Sequence, residues 1–147
     1  IQQPSEFAKA ESGGFNQLNI FCIDDEIENL DASTALLEKW QCQVSCFNSV
    51  EDVSTYLASN PMQQGKRRPD VLLVDYQLHP SHITGLELIQ SIRSHWQVNI
   101  PAALVTAIQD EELKAQCDAM GVRYMAKPLK PAPLKAWLKS IITKKAA

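Results

Sequence analysis

The chain has 147 residues, the length of one ordinary domain, and 45% of them are hydrophobic while 21% are charged. These proportions exclude a disordered, collagen-like or disulfide-dense chain, and no apolar run approaches the roughly 18 residues of a membrane-spanning helix. The formal net charge of −3 argues against a nucleic-acid module, which is usually basic. We therefore expect one soluble domain.

The two ends of the chain differ from the middle. Residues 1–17 mix polar side chains with the pair Gly13–Gly14 and lack sustained periodicity, which is typical of a linker or tether. The chain begins with Ile1 and no signal-peptide pattern follows, so we expect a piece cut from a longer protein. The domain is predicted over residues 18–143, and residues 144–147 form a tail.

Four cysteines, Cys22, Cys42, Cys46 and Cys117, are present, and no further Cys or His pair completes a zinc site. Three of them lie inside apolar or alternating segments, where a free thiol behaves as a small hydrophobic side chain. We interpret them as reduced packing residues of a cytoplasmic protein rather than as disulfides or metal ligands.

Short apolar runs alternate with segments of helical spacing from residue 18 onward. Capping boxes beginning at Ser49 and Thr84 and the proline at Pro131 mark three helix starts, and Gly121 marks a helix end. Five strands are predicted, over residues 18–23, 44–46, 70–74, 102–106 and 122–126.

Five strands that alternate with five helices predict right-handed βαβ units and a parallel sheet covered on both faces. The fold class is therefore a doubly wound α/β domain. In such sheets the ligand site lies outside the carboxyl ends of the strands.

Polar side chains follow the carboxyl ends of four predicted strands. Asp24 and Asp25 follow the first strand, Asp75 the third and Lys127 the fifth, while Thr106 ends the fourth. Because like charges at one sheet edge repel, the three carboxylates need a cation, which Lys127 or a hard divalent ion such as Mg²⁺ would supply. No Gly-rich phosphate loop follows the first strand, so a nucleotide-binding motif is absent.

This set of residues suits phosphoryl transfer to a carboxylate. An Asp can act as a nucleophile, a metal and a lysine can neutralise the transferred charge, and the Thr106 hydroxyl can donate to a phosphoryl oxygen. Each residue taken singly also has an ordinary structural explanation as a helix cap, a strand residue or a solvated side chain. Their combination at one sheet edge favours the functional interpretation.

Five motifs follow one another along the chain, namely IDDE at 23–26, LLVDYQL at 72–78, TGLELI at 84–89, LVTA at 104–107 and GVRYMAKPL at 121–129. With these motifs in this order, the chain resembles the receiver domain of two-component response regulators over about residues 18–143. The resemblance implies a flavodoxin-like sheet of strand order 2-1-3-4-5.

The resemblance also implies roles for residues around the sheet edge. Asp75 matches the phosphoacceptor, and Lys127 would pair with it or with the phosphoryl group. Asp25 matches a direct ligand of Mg²⁺ or Mn²⁺, Asp24 a ligand that acts through water, and Gln77 would offer its backbone carbonyl to the metal.

A second group of roles concerns the conformational switch. Thr106 and Tyr124 match the switch pair, in which phosphorylation draws the hydroxyl inward and the ring changes position. Ala107 would contact a phosphoryl oxygen, and the bond between Lys127 and Pro128 is expected to be cis. The alternative for Tyr124 is a half-buried strand aromatic with no switching role.

The loop after Asp75 is about two residues longer than the family pattern, which connecting loops tolerate. His79 and His82 lie in it, and without further ligands we interpret them as exposed loop residues. A second hypothesis is that they modulate access to Asp75 or the choice of partner.

The resemblance implies that the domain takes a phosphoryl group from a histidine kinase core or a histidine phosphotransfer domain, and that it catalyses only its own transfer and hydrolysis. The DYQL sequence at 75–78 is similar to that of hybrid sensor histidine kinases, whose receiver is carboxyl-terminal. A stand-alone regulator, a pseudo-receiver that only binds partners and a metal-dependent hydrolase are the alternatives. A homodimer is left open, and no contact of this domain with nucleic acid or membrane is expected.

Overall fold

The computed structural model describes residues 15, 18–62 and 68–146, with side chains through residue 144. The predicted tether over residues 1–17 lies outside the described residues except for Phe15. The Phe15 side chain is buried, and its ring centroid lies 5.8 Å from that of Trp40. This residue therefore belongs to the core rather than to a tether.

Five strands alternate with five helices along the described chain, as predicted. The strands are β1 (Asn19–Ile23), β2 (Gln43–Phe47), β3 (Val71–Asp75), β4 (Ala102–Thr106) and β5 (Val122–Ala126). The helices are α1 (Ile27–Lys39), α2 (Val50–Ser59), α3 (Gly85–Trp96), α4 (Glu111–Met120) and α5 (Pro131–Ala146).

All neighbouring strands pair in parallel, in the order β2-β1-β3-β4-β5. This confirms the doubly wound, flavodoxin-like sheet. Asp75 pairs with Val105 across β3 and β4, and Thr106 pairs with Ala126 across β4 and β5. The register therefore brings the carboxyl ends of the central strands to one level at the same edge.

The three central strands are buried on both faces, which explains their almost continuously apolar sequences. Alternate residues of each strand face opposite helix layers. Phe21, Leu72 and Leu104 pack under α2, α3 and α4, whereas Cys22 and Leu73 pack under α1 and α5. Two apolar layers on one sheet hold the strand ends in fixed positions.

Local signals in the sequence set the helix starts. The capping box at Thr84 is complete, because its hydroxyl accepts from the Glu87 N–H and the Glu87 carboxylate accepts from the Thr84 N–H. The Ser49 hydroxyl accepts from the Asp52 N–H at 3.0 Å. Gly121 ends α4 in the left-handed conformation with φ of 65°.

Ile27 begins α1 but is 59% exposed, and Leu30 is the first buried residue of this helix. One detail differs from the sequence interpretation. The last helix continues to Ala146, past residue 143, where the domain was expected to end. Among the described residues no helix is both long and apolar enough to cross a bilayer.

Three of the cysteines are buried and one, Cys46, is exposed, and all four are free. Burial raises the pKa of the Cys42 thiol to about 11. This agrees with the interpretation of these residues as packing side chains.

The Arg93 side chain connects the segments that precede β4 and β5. Its guanidinium donates to the carbonyl of Ile100 at 3.0 Å, to that of Met120 at 2.7 Å and to that of Gly121 at 3.2 Å. These bonds fix the end of α3 against the entries to β4 and β5. One side chain thus satisfies carbonyls at the carboxyl end of α4, where the helix leaves them without partners.

Gly85 lies where the start of α3 touches the end of β3. A Cβ added there would collide with the carbonyl oxygen of Asp75 and would lie 2.9 Å from Leu104 Cδ1. We expect Gly85→Ala to lower the free energy of unfolding by about 1–3 kcal/mol, because backbone must move to admit the methyl group. It should also shift the NMR amide resonances of residues 74–76. Chemical denaturation measures the change in stability, and NMR spectra measure the shifts.

Gly121→Ala is the matched control. A Cβ at Gly121 meets nothing within 4 Å, so only the left-handed backbone opposes it, at about 1–2 kcal/mol. Its resonances at residues 74–76 should stay in place. Unchanged resonances at these positions in Gly85→Ala would contradict the predicted displacement of Asp75.

Candidate functional site

The predicted site residues gather at the carboxyl edge of the sheet. Asp24 follows β1, Asp75 and Thr106 end β3 and β4, and Lys127 follows β5. Asp24, Asp75 and Thr106 are the buried polar residues of the described chain, with exposed fractions of 9%, 7% and 2%. Buried polar groups need partners, and the geometry below supplies them.

One ammonium group bridges two of the carboxylates. Lys127 Nζ lies 3.2 Å from Asp75 Oδ2 and 3.4 Å from Asp24 Oδ2. The Lys127 N–H donates to the Thr106 carbonyl at 3.0 Å, and the bond between Lys127 and Pro128 is cis, as expected. A hydrogen bond thus holds the backbone of Lys127, and two ion pairs hold its side chain.

Asp24, Asp25 and Asp75 form a three-carboxylate cluster. One oxygen of each lies within 4.8 Å of the others. Hard oxygen ligands that leave room for water suit Mg²⁺, and the cluster provides such a set. The donor chemistry therefore fits the expected divalent cation, with Asp25 the more exposed of the two aspartates that follow β1.

The charges around Asp75 set its titration. The pKa of the Asp75 carboxyl is raised from 3.8 to about 6, because burial and the nearby Asp24 carboxylate outweigh the opposing effect of Lys127. Burial alone would lower the pKa of the Lys127 ammonium, but the carboxylates of Asp75 and Asp24 outweigh it and the pKa is raised. The lysine therefore stays charged beside a carboxylate whose charge is costly.

Backbone donors orient the two aspartates that follow β1. The Glu26 N–H donates to Asp24 Oδ1 at 2.9 Å, and the Asp24 N–H donates to the Phe47 carbonyl at 3.1 Å. The His79 N–H donates to Asp25 Oδ2 at 3.1 Å. Asp25 is therefore held by the loop that follows β3, across the sheet edge.

That loop is closed at its base. The Gly85 N–H donates to the Tyr76 carbonyl at 2.7 Å, and Gln77 and Thr84 form an isolated antiparallel bridge. The bond between His79 and Pro80 is cis. Gln77, the expected carbonyl ligand, thus lies in a constrained segment two residues after Asp75.

Thr106 and Tyr124 are linked through one residue. The Ile108 N–H donates to Thr106 Oγ1 at 3.1 Å, and the Tyr124 hydroxyl donates to the Ile108 carbonyl. Tyr124 is half-buried, and Lys114 Nζ lies 5.2 Å from its ring centroid. The exposed Ala107 lies between the two hydrogen-bonded positions. Ile108, two residues after β4, is therefore hydrogen-bonded through its backbone to both members of the predicted switch pair.

A cavity of about 420 Å³ opens beside the carboxylates. Its polar end contains Asp75 and Lys127, and its apolar wall includes Leu30 and Leu36 of α1 and Leu129. A reacting group can thus reach Asp75 along α1. His82 lines a separate cavity with Tyr76.

The family comparison decides what this site belongs to. The model of the response regulator receiver domain matches residues 20–139. This chain belongs to that family. The matched residues begin within β1 and include all the site residues described above. No curated protein sequence matches the chain.

Solved structures share the receiver fold at low sequence identity. A two-component response regulator from Clostridium difficile is 22% identical, covers 89% of this chain and 100% of its own, and has a TM-score of 0.74. A response regulator receiver domain protein (CheY-like) from Methanospirillum hungatei JF-1 is 18% identical, covers 88% of this chain and 96% of its own, and has a TM-score of 0.66. The chemotaxis protein CheY4 from Vibrio cholerae is 19% identical, covers 85% of this chain and 98% of its own, and has a TM-score of 0.66.

Two contacts of this receiver domain have no signal in the sequence. Ile108 joins Thr106 to Tyr124 through its backbone, and His79 holds Asp25 through its backbone N–H. Backbone groups are present at every residue, so only the fold shows which of them matter. The sequence drew attention to the imidazole side chain of His79, whereas the hydrogen bond of this residue to Asp25 uses its backbone N–H.

The raised pKa of Asp75 predicts a pH-dependent stability of the metal-free domain. The folded carboxyl binds its proton more tightly than the unfolded one, so stability is lost as pH rises from about 4 through 6. Asp75→Asn removes this loss. We expect it to be more stable than the parent by about 1–3 kcal/mol at pH 7.5 and nearly equal at pH 4.

Urea denaturation in EDTA across pH 4–8 measures this difference. Asp118→Asn, a change at an exposed carboxylate of α4, serves as the control and should show no such trend. A stability difference between Asp75→Asn and the parent that is constant from pH 4 to pH 8 would contradict the assignment.

Proposed function

We propose that this receiver domain accepts a phosphoryl group on Asp75 from a phosphohistidine and changes conformation in response. The observation that carries the proposal is the buried Asp75 carboxylate, which shares Lys127 with Asp24 at the mouth of a cavity. An interaction module with the same fold needs neither the buried carboxylates nor the bridging lysine. The complete set therefore favours phosphoryl transfer over a pseudo-receiver.

The transfer exchanges one bond for another. A carboxylate oxygen of Asp75 attacks phosphorus, the bond between phosphorus and the histidine nitrogen breaks, and the electron pair stays on the imidazole. Lys127 neutralises charge on the phosphoryl oxygens, and the Thr106 hydroxyl donates to one of them after it leaves the Ile108 N–H. Positioning and charge neutralisation supply most of the catalysis in such transfers.

Asp24, Asp25 and Asp75 would hold the divalent cation, together with the Gln77 carbonyl. A bound Mg²⁺ would supply positive charge next to the phosphoryl oxygens and relieve the repulsion among the carboxylates. The residues of the chain supply the rest of the site. The His79 N–H keeps Asp25 oriented, and the Glu26 N–H keeps one oxygen of Asp24 in place.

The phosphodonor would be a histidine kinase core or a histidine phosphotransfer domain acting in the cytoplasm. It would approach along α1, since the cavity that reaches Asp75 has this helix as a wall. The similarity of residues 75–78 to hybrid sensor kinases supports a receiver that is covalently joined to its kinase.

Phosphorylation by a small-molecule donor tests the proposal directly. With Mg²⁺ and acetyl phosphate, intact-mass measurement should show one added phosphoryl group, and Asp75→Asn should show none. Lys127→Met should fold but label much more slowly, because a cation is lost from the site. Equal labelling of Asp75→Asn and the parent would sink the assignment of the acceptor.

Metal binding is tested separately by calorimetry. Asp25→Asn should weaken Mg²⁺ binding by about tenfold or more, since a carboxylate ligand is replaced by a neutral one. Asp52→Asn, at an exposed position of α2, provides the control. Equal Mg²⁺ affinities of the parent and Asp25→Asn would show that the cluster does not hold the ion.

The bond from Tyr124 to Ile108 predicts a local effect before any phosphorylation. Tyr124→Phe removes the hydroxyl, so the segment of residues 107–110 loses one anchor worth about 1 kcal/mol. Amide hydrogen exchange there should accelerate roughly fivefold, while exchange in β1 stays unchanged. Unaltered exchange at residues 107–110 would show that the hydroxyl does not hold this segment.

A further inference from the structure

Charge is strongly segregated along the chain. All 17 acidic residues lie within residues 1–118, while residues 119–147 contain seven of the 14 basic residues and none of the acidic ones. The two parts therefore have formal charges of −10 (7 − 17) and +7 (7 − 0), which add to the net −3. Only one of these seven basic residues, Lys127, belongs to the phosphoryl site.

The basic residues collect on α5 and immediately before it. Lys130, Lys135, Lys139 and Lys144 are exposed, and none of them takes part in an ion pair with the described residues. Because α5 contains no acidic residue, it cannot form the pairs three or four residues apart that usually neutralise a helix surface. Lys135 and Lys139, one turn apart, therefore present uncompensated positive charge on one face of α5, whereas Lys144 lies on the opposite side of the helix and lines a cavity with Tyr124.

The neighbouring helix on the same sheet face has the opposite charge. Exposed Glu28, Asp31 and Glu38 of α1 likewise form no ion pair with the described residues, and Lys39 is the one basic residue of that helix. The two helices share one apolar cluster, and Lys135 Nζ lies 5.6 Å from the ring centroid of Trp40, at the end of α1. Neighbouring helices on one face of the sheet thus carry opposite charges on their exposed sides.

We propose that two copies of this chain associate through this face, with α5 of each copy against α1 of the other. A two-fold arrangement uses the same surface on both copies, so the lysines of each meet the carboxylates of the other and the contact closes at two chains. The lysines of α5 and the carboxylates of α1 then form ion pairs in the same contact. The association does not depend on phosphorylation of Asp75.

A second copy fits this surface better than a nucleic acid or an anionic membrane. An extended polyanion lying along α5 would also meet the carboxylates of α1, and like charges brought together are costly. A second copy presents both signs in the same spacing. Such contacts steer association and weaken as salt rises.

Charge reversal tests the proposal on the full chain. Lys135→Glu/Lys139→Glu makes α5 acidic, and Asp31→Lys/Glu38→Lys makes α1 basic. Each variant alone should be monomeric by sedimentation equilibrium in low salt, where the parent dimerises, with the dissociation constant raised by at least about tenfold. An equimolar mixture of the two should restore dimers, because each half of the mixed contact again joins opposite charges.

The matched control is Arg68→Glu/Lys114→Glu, which changes the net charge as Lys135→Glu/Lys139→Glu does but away from α1 and α5. It should dimerise like the parent, and Asp75→Asn should do so too, which separates this inference from the proposed phosphoryl transfer. Thermal melts establish that each variant is folded. A parent that stays monomeric at low salt, or a mixture that stays monomeric, would overturn the proposal, as would vesicle binding without dimers.

Discussion

The ammonium of Lys127 between Asp24 and Asp75 is the interaction on which the rest of the site depends. It joins the ends of β5, β1 and β3, and it offsets part of the repulsion between two buried carboxylates. The compensation is partial, since the pKa of Asp75 remains raised to about 6. One lysine thus connects the strand ends but does not neutralise both carboxylates. A bound divalent cation or protonation of Asp75 would reduce the remaining negative charge.

At the same edge of the sheet, two hydrogen bonds connect the buried Thr106 to the half-buried Tyr124 through Ile108. Thr106 is buried at the end of β4, and its hydroxyl accepts from the Ile108 N–H, whose carbonyl in turn accepts from Tyr124. In the proposed function, a phosphoryl group on Asp75 would draw the Thr106 hydroxyl inward and remove one end of this connection. The remaining contacts would then set the position of Tyr124 and of the segment before α4, so that a local charge shifts the population of two conformations.

The sequence predicted the features that depend on repeated patterns. Buried central strands such as β4 need apolar residues throughout, and the box at Thr84 needs a Glu three residues later, so both could be located. Contacts made by backbone groups have no such pattern, and neither the His79 bond to Asp25 nor the role of Ile108 could be foreseen. The burial of Phe15 was missed for a related reason, because a single aromatic in a polar segment has no period.

Helix α1 has two uses in this molecule. Its inner side forms the wall of the cavity that reaches Asp75, and its outer side presents the carboxylates that face α5 of a second copy in the proposed dimer. A phosphodonor that approaches along α1 therefore competes with the second copy for overlapping surface. By mass action, a donor present at low concentration must bind more tightly than the copy, whereas one joined to the same chain has a high effective concentration. Self-association would thus favour a covalently attached donor over a free one.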